Sequence, residues 1–290
     1  MPFYISSVLT EGRVSVLRKN KSVLSKIGFA LILVLICLYM IIPIYIIVKV
    51  SFGTTEEVLT QHPTLLPHHI TLEHWKDVLT SGNVMAPLMK SLIVATSTMV
   101  IAVLLVAPAA YAISRLSRKV KIAFVMTLFF TKMFPTVGIA LPISVRFVKW
   151  GLMDSNIGLI MAHLIGQLPF MAWILVSTFS AIPMDLEEAA KIDGAGRMQV
   201  LFRVIFPVAA QGIAVSAMYV WLNSWNEFTY ALYLSLSTKT LPLQVYYYTQ
   251  RGGFFQTAAY STLLAIPVIL VTFLLQRYLK SGYLSGAVKG

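Results

Sequence analysis

The chain has 290 residues, of which 58% are hydrophobic and only 12% charged, with a mean hydropathy of +0.79. Those values exclude a soluble globular domain, because apolar stretches of about 20 residues recur, each long enough to cross a hydrocarbon core of about 30 Å as a helix. A formal charge of +12 would suit a nucleic-acid binder, but the placement of Lys and Arg follows membrane orientation instead.

Six helical spans are predicted, in chain order 27–48, 91–113, 122–148, 157–182, 207 to about 234, and 258–279. The third and fifth are the weakest, because Lys132, Pro135 and Pro142 interrupt one and a polar run interrupts the other. With the N-terminus in the cytoplasm, fifteen of the 23 Lys and Arg fall on the cytoplasmic side, seven fall outside, and Lys132 stays within the membrane. That excess obeys the positive-inside rule and places both termini in the cytoplasm. Residues 1–26 are read as a basic cytoplasmic arm, 27–280 as the membrane domain and 281–290 as a cytoplasmic tail. The first span is expected to remain uncleaved, being too long for a signal-peptide core and lacking a small-residue cleavage site.

Within the first span, the single Cys37 can build neither a disulfide framework nor a metal cluster. The external loop 52–87 holds His62, His68, His69 and His74, whose spacing matches no compact zinc motif, so a solvated loop is expected. A short basic connection, 114–121, requires the second and third spans to run antiparallel. In the third span Lys132 is either a pathway residue or a structural ion-pair partner, since an ammonium deep in a bilayer is costly. The fourth span gathers His163, Gln167, Phe170 and Ser177 on one side, with His163 read as a core histidine bonded to a neighbour.

Between the fourth and fifth spans, 183–206 is patterned enough to fold as short helices. Asp185 and Glu188 have the form of a capping box, Gly194 and Gly196 break the helix, and a second begins at Arg197. At about 100° per residue, Ser216, Tyr219, Asn223, Asn226, Glu227 and Tyr230 share one face of the fifth span, while Trp221, Trp225 and Phe228 point the other way. Amides and a carboxylate are costly against lipid, so this face should look into the bundle or a water-filled cavity. Asn223 and Asn226 suit sugar hydroxyls, which need mixed donors and acceptors; the other reading of such residues is glue between helices. The external segment 235–256 then carries Tyr246, Tyr247 and Tyr248, followed by Arg251, Gly252, Gly253 and Phe254. An interfacial aromatic belt explains the aromatics of that segment without further function.

The most specific pattern is Glu187-Glu188-Ala189-Ala190-Lys191-Ile192-Asp193-Gly194, followed by Val204-Ile205-Phe206-Pro207. It resembles the EAA loop of the permease subunits of bacterial ABC importers. Trp225-Asn226-Glu227-Phe228 and the C-terminal run from Gln276 to Gly290 are similar to the carbohydrate-uptake branch, in particular to MalG-like permeases of maltose-type importers. The resemblance covers nearly the whole chain and implies an all-α membrane protein of six transmembrane helices with a cytoplasmic coupling-helix loop. It further implies that Glu187, Glu188, Ala189, Ala190, Asp193, Gly194 and Arg197 meet an ATPase, and that Val288, Lys289 and Gly290 reach into the ATPase dimer. On the polar faces and the intramembrane lysine described above, Tyr219, Asn223, Asn226, Glu227, Tyr230, Gln167 and Lys132 are assigned to the substrate pathway. By the resemblance, Tyr247, Arg251, Gly252, Gly253 and Phe254 would enter the cleft of a docked binding protein.

The partners so implied are a second, MalF-like permease, two MalK-like ATPase subunits and an extracytoplasmic sugar-binding protein. No cofactor is expected on this chain, since ATP and Mg would sit on the ATPase. There is indeed no G-x-x-x-x-G-K-[ST] phosphate loop, and neither H-E-x-x-H nor G-x-S-x-G occurs, so an enzyme is not expected. The competing reading is a self-sufficient secondary transporter driven by an ion gradient, for which inverted repeats and broken helices with coupling acids would be expected.

Overall fold

The computed structural model describes residues 5–251 and 253–286, with side chains for 25–251 and 253–274. Among the described residues the chain is helical and has no strand. It divides into two compact units, Met1–Ile70 and Thr71–Gly290.

The first unit consists of α1 (Ile5–Phe52), the one-turn α2 (Thr55–Val58) and the loop that follows. The segment Ser25–Phe52 has a mean hydropathy of 3.1, and its apolar side chains, with Cys37 among them, are exposed around the helix. An apolar circumference of this kind belongs in lipid. The loop is tied back on itself: Tyr45 donates to the Leu65 carbonyl at 2.7 Å and Lys49 donates to that of Thr64. Glu57 accepts the backbone N–H groups of His68 and His69 at 3.2 and 2.8 Å, so these histidines contribute backbone to a loop clasp. No metal-ligand cluster forms among the described residues.

The second unit begins with α3 (Glu73–Thr80) and α4 (Met85–Ser114), then α5 (Arg118–Phe130), a 3-10 turn at Thr131–Met133 and α6 (Thr136–Lys149). It continues through α7 (Asn156–Ser180), α8 (Asp185–Ile192), α9 (Arg197–Gln199), a π-helical turn at Val200–Ile205 and α10 (Phe206–Trp225). α11 (Thr229–Leu234), α12 (Leu241–Gln250) and α13 (Phe254–Gly286) complete it. Among the described residues five helices are long and apolar enough to cross a membrane, and six if the pair Arg118–Met133 and Thr136–Lys149, bent by 86°, counts as one span.

α4 packs chiefly on α7 and α10. Its buried face is rich in small residues, among them Ser91, Ala95, Thr98, Ala102, Ala107 and Ala110, with Val94 and Val106 between them. Lipid supplies no hydrophobic drive for helix pairing, so close backbone approach over small side chains has to hold such an interface. Gly212 does the same between α10 and α7, since a Cβ there would lie 2.4 Å from Thr178. The indoles of Trp221 and Trp225 stack at 5.2 Å on the opposite face of α10 from its polar residues. They donate to Thr96 Oγ1 at 3.3 Å and to the Leu264 carbonyl at 3.1 Å, so this face is anchored to α4 and α13.

Three local expectations need correction. Asp185 does not cap α8: Met184 is the N-cap with a backbone already helical, and the Glu188 N–H goes to the Met184 carbonyl at 3.1 Å, leaving no free donor for a capping box. The fifth span does not run unbroken to 234, because α10 ends at Trp225 and α11 starts only at Thr229. The segment 235–256 is not a loop throughout, since α12 fills it and buries Leu241, Leu243 and Gln244. The π-helical turn ahead of α10 has a simple origin: Pro207 carries no N–H for the carbonyl of Arg203, so the hydrogen-bond register shifts there.

Candidate functional site

Two broken spans meet at one place. The 86° bend between α5 and α6 falls at Phe134-Pro135, where proline restricts its predecessor to extended backbone, and Phe134 has φ −78° and ψ 132°. The second break, Asn226 to Phe228, separates α10 from α11. Between the breaks and α7 lies a cavity of about 580 Å³. Lys132, Gln167, Asn223, Asn226, Glu227 and Tyr230 all line it, which unites six of the seven residues expected in the pathway. The seventh, Tyr219, is not in the lining; its ring packs on Phe170 with centroids 4.2 Å apart.

The hydrogen bonding of the lining shows what the cavity can offer. Asn223 and Asn226 donate from Nδ2 to the carbonyls of Tyr219 and Leu222, one turn back, at 2.8 and 2.9 Å. With the Nδ2 atoms so engaged, both residues line the cavity. Gln167 is 8% exposed and its Oε1 has no partner, a buried acceptor that a ligand hydroxyl could satisfy. Glu227 is committed differently. It accepts the N–H groups of Tyr230 and Ala231 at 2.9 and 3.2 Å, which caps α11, and His163 Nε2 stands 3.3 Å from it without hydrogen-bond alignment. His163, 1% exposed, shares a 2.6 Å hydrogen bond with Ser224 through Nδ1, so it is the bonded core histidine expected.

Sequence reasoning missed Thr131, Phe134, Thr136 and Phe228 in the lining. Phe228 was expected on the far face because the 100° rule was carried across the break. The Phe134-Pro135 pair was the available signal for the first break, and the run of two amides and a carboxylate was the signal for the second.

At the predicted cytoplasmic end, α8 and α9 form a bent hairpin. Gly194 turns it with φ 85°, in the left-handed region that favours glycine, and Gln199 Oε1 accepts the Gly196 N–H at 3.0 Å. The two glutamates of the EAA pattern part company here. Glu188, Ala189, Asp193, Gly194 and Arg197 are exposed and Ala190 is half-buried, whereas Glu187 is only 2% exposed. Glu187 pairs with Arg115 Nε at 2.6 Å and accepts from the Tyr111 hydroxyl at 2.8 Å, while Arg115 Nη1 donates to the Phe179 carbonyl at 3.0 Å. The hairpin is thereby tied to the ends of α4 and α7 through a buried charge pair that no local motif announced. Ile192 and Met198, 85% and 67% exposed, add apolar surface to the same hairpin.

At the other end, Asp154 with φ 57° accepts the N–H groups of Leu236 and Ser237 at 2.9 and 3.0 Å. Lys90, 6% exposed, donates to the Thr238 carbonyl at 2.7 Å and lies 3.7 Å from Asp154. Burial alone would raise the Asp154 carboxyl, but the hydrogen bonds from Ser237 and Leu236 together with the Lys90 charge outweigh it and hold it below the usual carboxylate range. In the segment before α13, Tyr247 lies between Lys239 at 4.4 Å and Arg251 at 3.9 Å from its ring centroid. Gly253 donates to the Tyr248 carbonyl at 3.0 Å and Phe254 is 51% exposed. Gly252 and the tail residues Val288, Lys289 and Gly290 lie outside the described residues.

Residues 92–284 match the model of the family described as "binding-protein-dependent transport system inner membrane component". The chain is 33% identical to the inner membrane ABC transporter permease protein YcjP of Escherichia coli (strain K12), over 93% of this chain and 99% of that one. It is 30% identical to the trehalose/maltose transport system permease protein MalG of Thermococcus litoralis, over 93% of this chain and 98% of that one. In fold it is similar to a chain of a bacterial ABC transporter involved in the import of the acidic polysaccharide alginate, with a TM-score of 0.72, 23% identity, and coverage of 96% and 99%. The family match over two thirds of the chain, on a helical framework with this break-lined cavity, establishes that the chain belongs to the family of binding-protein-dependent transport system inner membrane components.

Proposed function

We propose that this chain is one of two permease subunits of an importer that moves a sugar or oligosaccharide into the cell by alternating access. The observation that carries the reading is the cavity between the two breaks, lined by the amides of Asn223 and Asn226 and by Gln167, whose buried Oε1 has no hydrogen-bond partner. Sugar hydroxyls are donors in need of such acceptors, and a lining of fixed amides meets them without reorganisation. The trehalose/maltose naming of the Thermococcus relative supports the same substrate class.

Glu188, with Ala189, Ala190, Asp193, Gly194 and Arg197, is the proposed ATPase-docking surface, for a carboxylate beside small side chains suits insertion into a cleft that holds a fork-shaped arginine. Glu187 supports that surface from within. The other partners in this reading are a second permease of the MalF kind, two MalK-like ATPase subunits that bind ATP and Mg, and an extracytoplasmic sugar-binding protein. Arg251, Gly252, Gly253 and Phe254, with Tyr247, are the residues that would enter that protein's cleft, and Val288, Lys289 and Gly290 would meet the ATPases. Both termini are placed in the cytoplasm by the Lys and Arg asymmetry.

Affinity purification of the tagged chain from its own membranes should recover an ATPase and a second permease, and uptake of labelled saccharides should require ATP. Uptake by this chain alone on an ion gradient would refute the reading. Single cysteines at positions 191 and 76 in a Cys37-free background check the topology: an impermeant thiol reagent should label only the second in intact cells.

A further inference from the structure

We infer that the saccharide entering the cavity bears an anionic group, a carboxylate, sulfonate or phosphate, and that Lys132 is the side chain that selects it. The inference rests on the cavity being the sugar path. Lys132 sits in the 3-10 turn between α5 and α6 and lines the cavity, yet it makes no ion pair or hydrogen bond with any described residue. The one carboxylate in the lining, Glu227, does not serve as its counterion. Both Glu227 oxygens accept backbone N–H groups at the start of α11, and the basic side chain beside that carboxylate is His163, with Nε2 3.3 Å away.

The lining therefore presents unpaired acceptors and one unpaired ammonium. The acceptors suffice for the hydroxyls of a neutral sugar. The ammonium does not improve on them, because a hydroxyl binds it little better than water does, while its retention inside a membrane domain is costly. An anionic substituent changes that balance: it forms a charge-assisted hydrogen bond with Lys132 as it enters, and the site gains a counterion that no described residue supplies. Lys132 would thus discriminate by charge while Gln167, Asn223 and Asn226 hold the ring hydroxyls.

The test uses the complete transporter, purified with its partner subunits and binding protein and reconstituted in vesicles, with trehalose, maltotriose, trehalose 6-phosphate and trigalacturonate as labelled probes. An anionic probe should be taken up in preference to its neutral counterpart. K132Q should raise the KM for it about tenfold or more, and by a larger factor than for the neutral counterpart, so that the preference is lost, and K132R should restore most of the preference. Preference for neutral probes, or anionic uptake indifferent to K132Q, overturns the inference while the sugar reading stands. Uptake of none of the four probes would remove the sugar reading itself and the inference with it. If K132Q and K132R both reduce complex yield, and uptake per assembled complex does not change with probe charge, Lys132 is a contact to another subunit and the inference is likewise overturned.

Discussion

The α8–α9 hairpin and the central cavity both hold charged groups, but they use them in opposite ways. At the hairpin, both oxygens of Glu187 are taken, one by Arg115 and one by Tyr111, and Arg115 also braces the end of α7. In the cavity, Gln167 keeps an unpaired oxygen, the two asparagines keep theirs free, and Lys132 has no partner among the described residues. Paired groups tie the hairpin to the ends of α4 and α7; unpaired ones leave hydrogen-bonding capacity that protein does not use. Satisfaction of hydrogen bonds, more than polarity itself, separates the structural site from the functional one.

The largest effect should come from breaking the tie at Glu187. Glu187→Ala leaves Arg115 buried without its counterion, at a cost of about 3 to 5 kcal/mol. The thermal unfolding temperature of the purified complex should drop clearly, whereas Glu188→Ala, on the exposed side of α8, should move it little. Equal losses in the two variants would erase the distinction between the glutamates.

Next in size is the exposed partner of that pair. Glu188→Lys should leave the membrane bundle folded and still weaken ATPase docking, by about 2 to 5 kcal/mol if the contact is buried in the complex. Quantitative co-purification reads this directly, and wild-type recovery of the ATPase would move the docking surface elsewhere.

The cavity should behave in the reverse manner. Asn223→Leu and Asn226→Leu each remove a free acceptor whose loss costs about 0.5 to 1.5 kcal/mol of ligand binding, so uptake KM should rise by about two- to tenfold with stability level or improved. Disassembly of both variants would show that these amides join helices, and the contrast with the hairpin would disappear.

The smallest effect concerns Asp154 at the predicted external end, which is paired like Glu187 but more accessible. Its carboxyl is held below the usual range, so the stabilisation is present above the unfolded-state value of about 3.9 and fades as pH falls through the lower folded value. The difference in unfolding temperature between wild type and Asp154→Asn should therefore be greatest near neutral pH and shrink under acid conditions. A gap that widens in acid would contradict this sign.

Local pattern was sufficient for the apolar spans, for the short helices between the fourth and fifth of them and for the polar face of α10, because each depends on composition or periodicity within one segment. The expected weak points of the third and fifth spans, Pro135 and the polar run, are where the structure breaks them, since a missing N–H and a cluster of competing side chains act on their own backbone. Pro142, however, lies inside an uninterrupted α6. Tertiary structure alone decided which polar residues are satisfied. Glu187 meets Arg115 across 72 positions and His163 meets Ser224 across 61, pairings that no periodicity encodes. It also decided that Lys132 and Asn223 share one cavity while Tyr219 does not, because a break in each of two helices turns side chains by angles that depend on what packs around them.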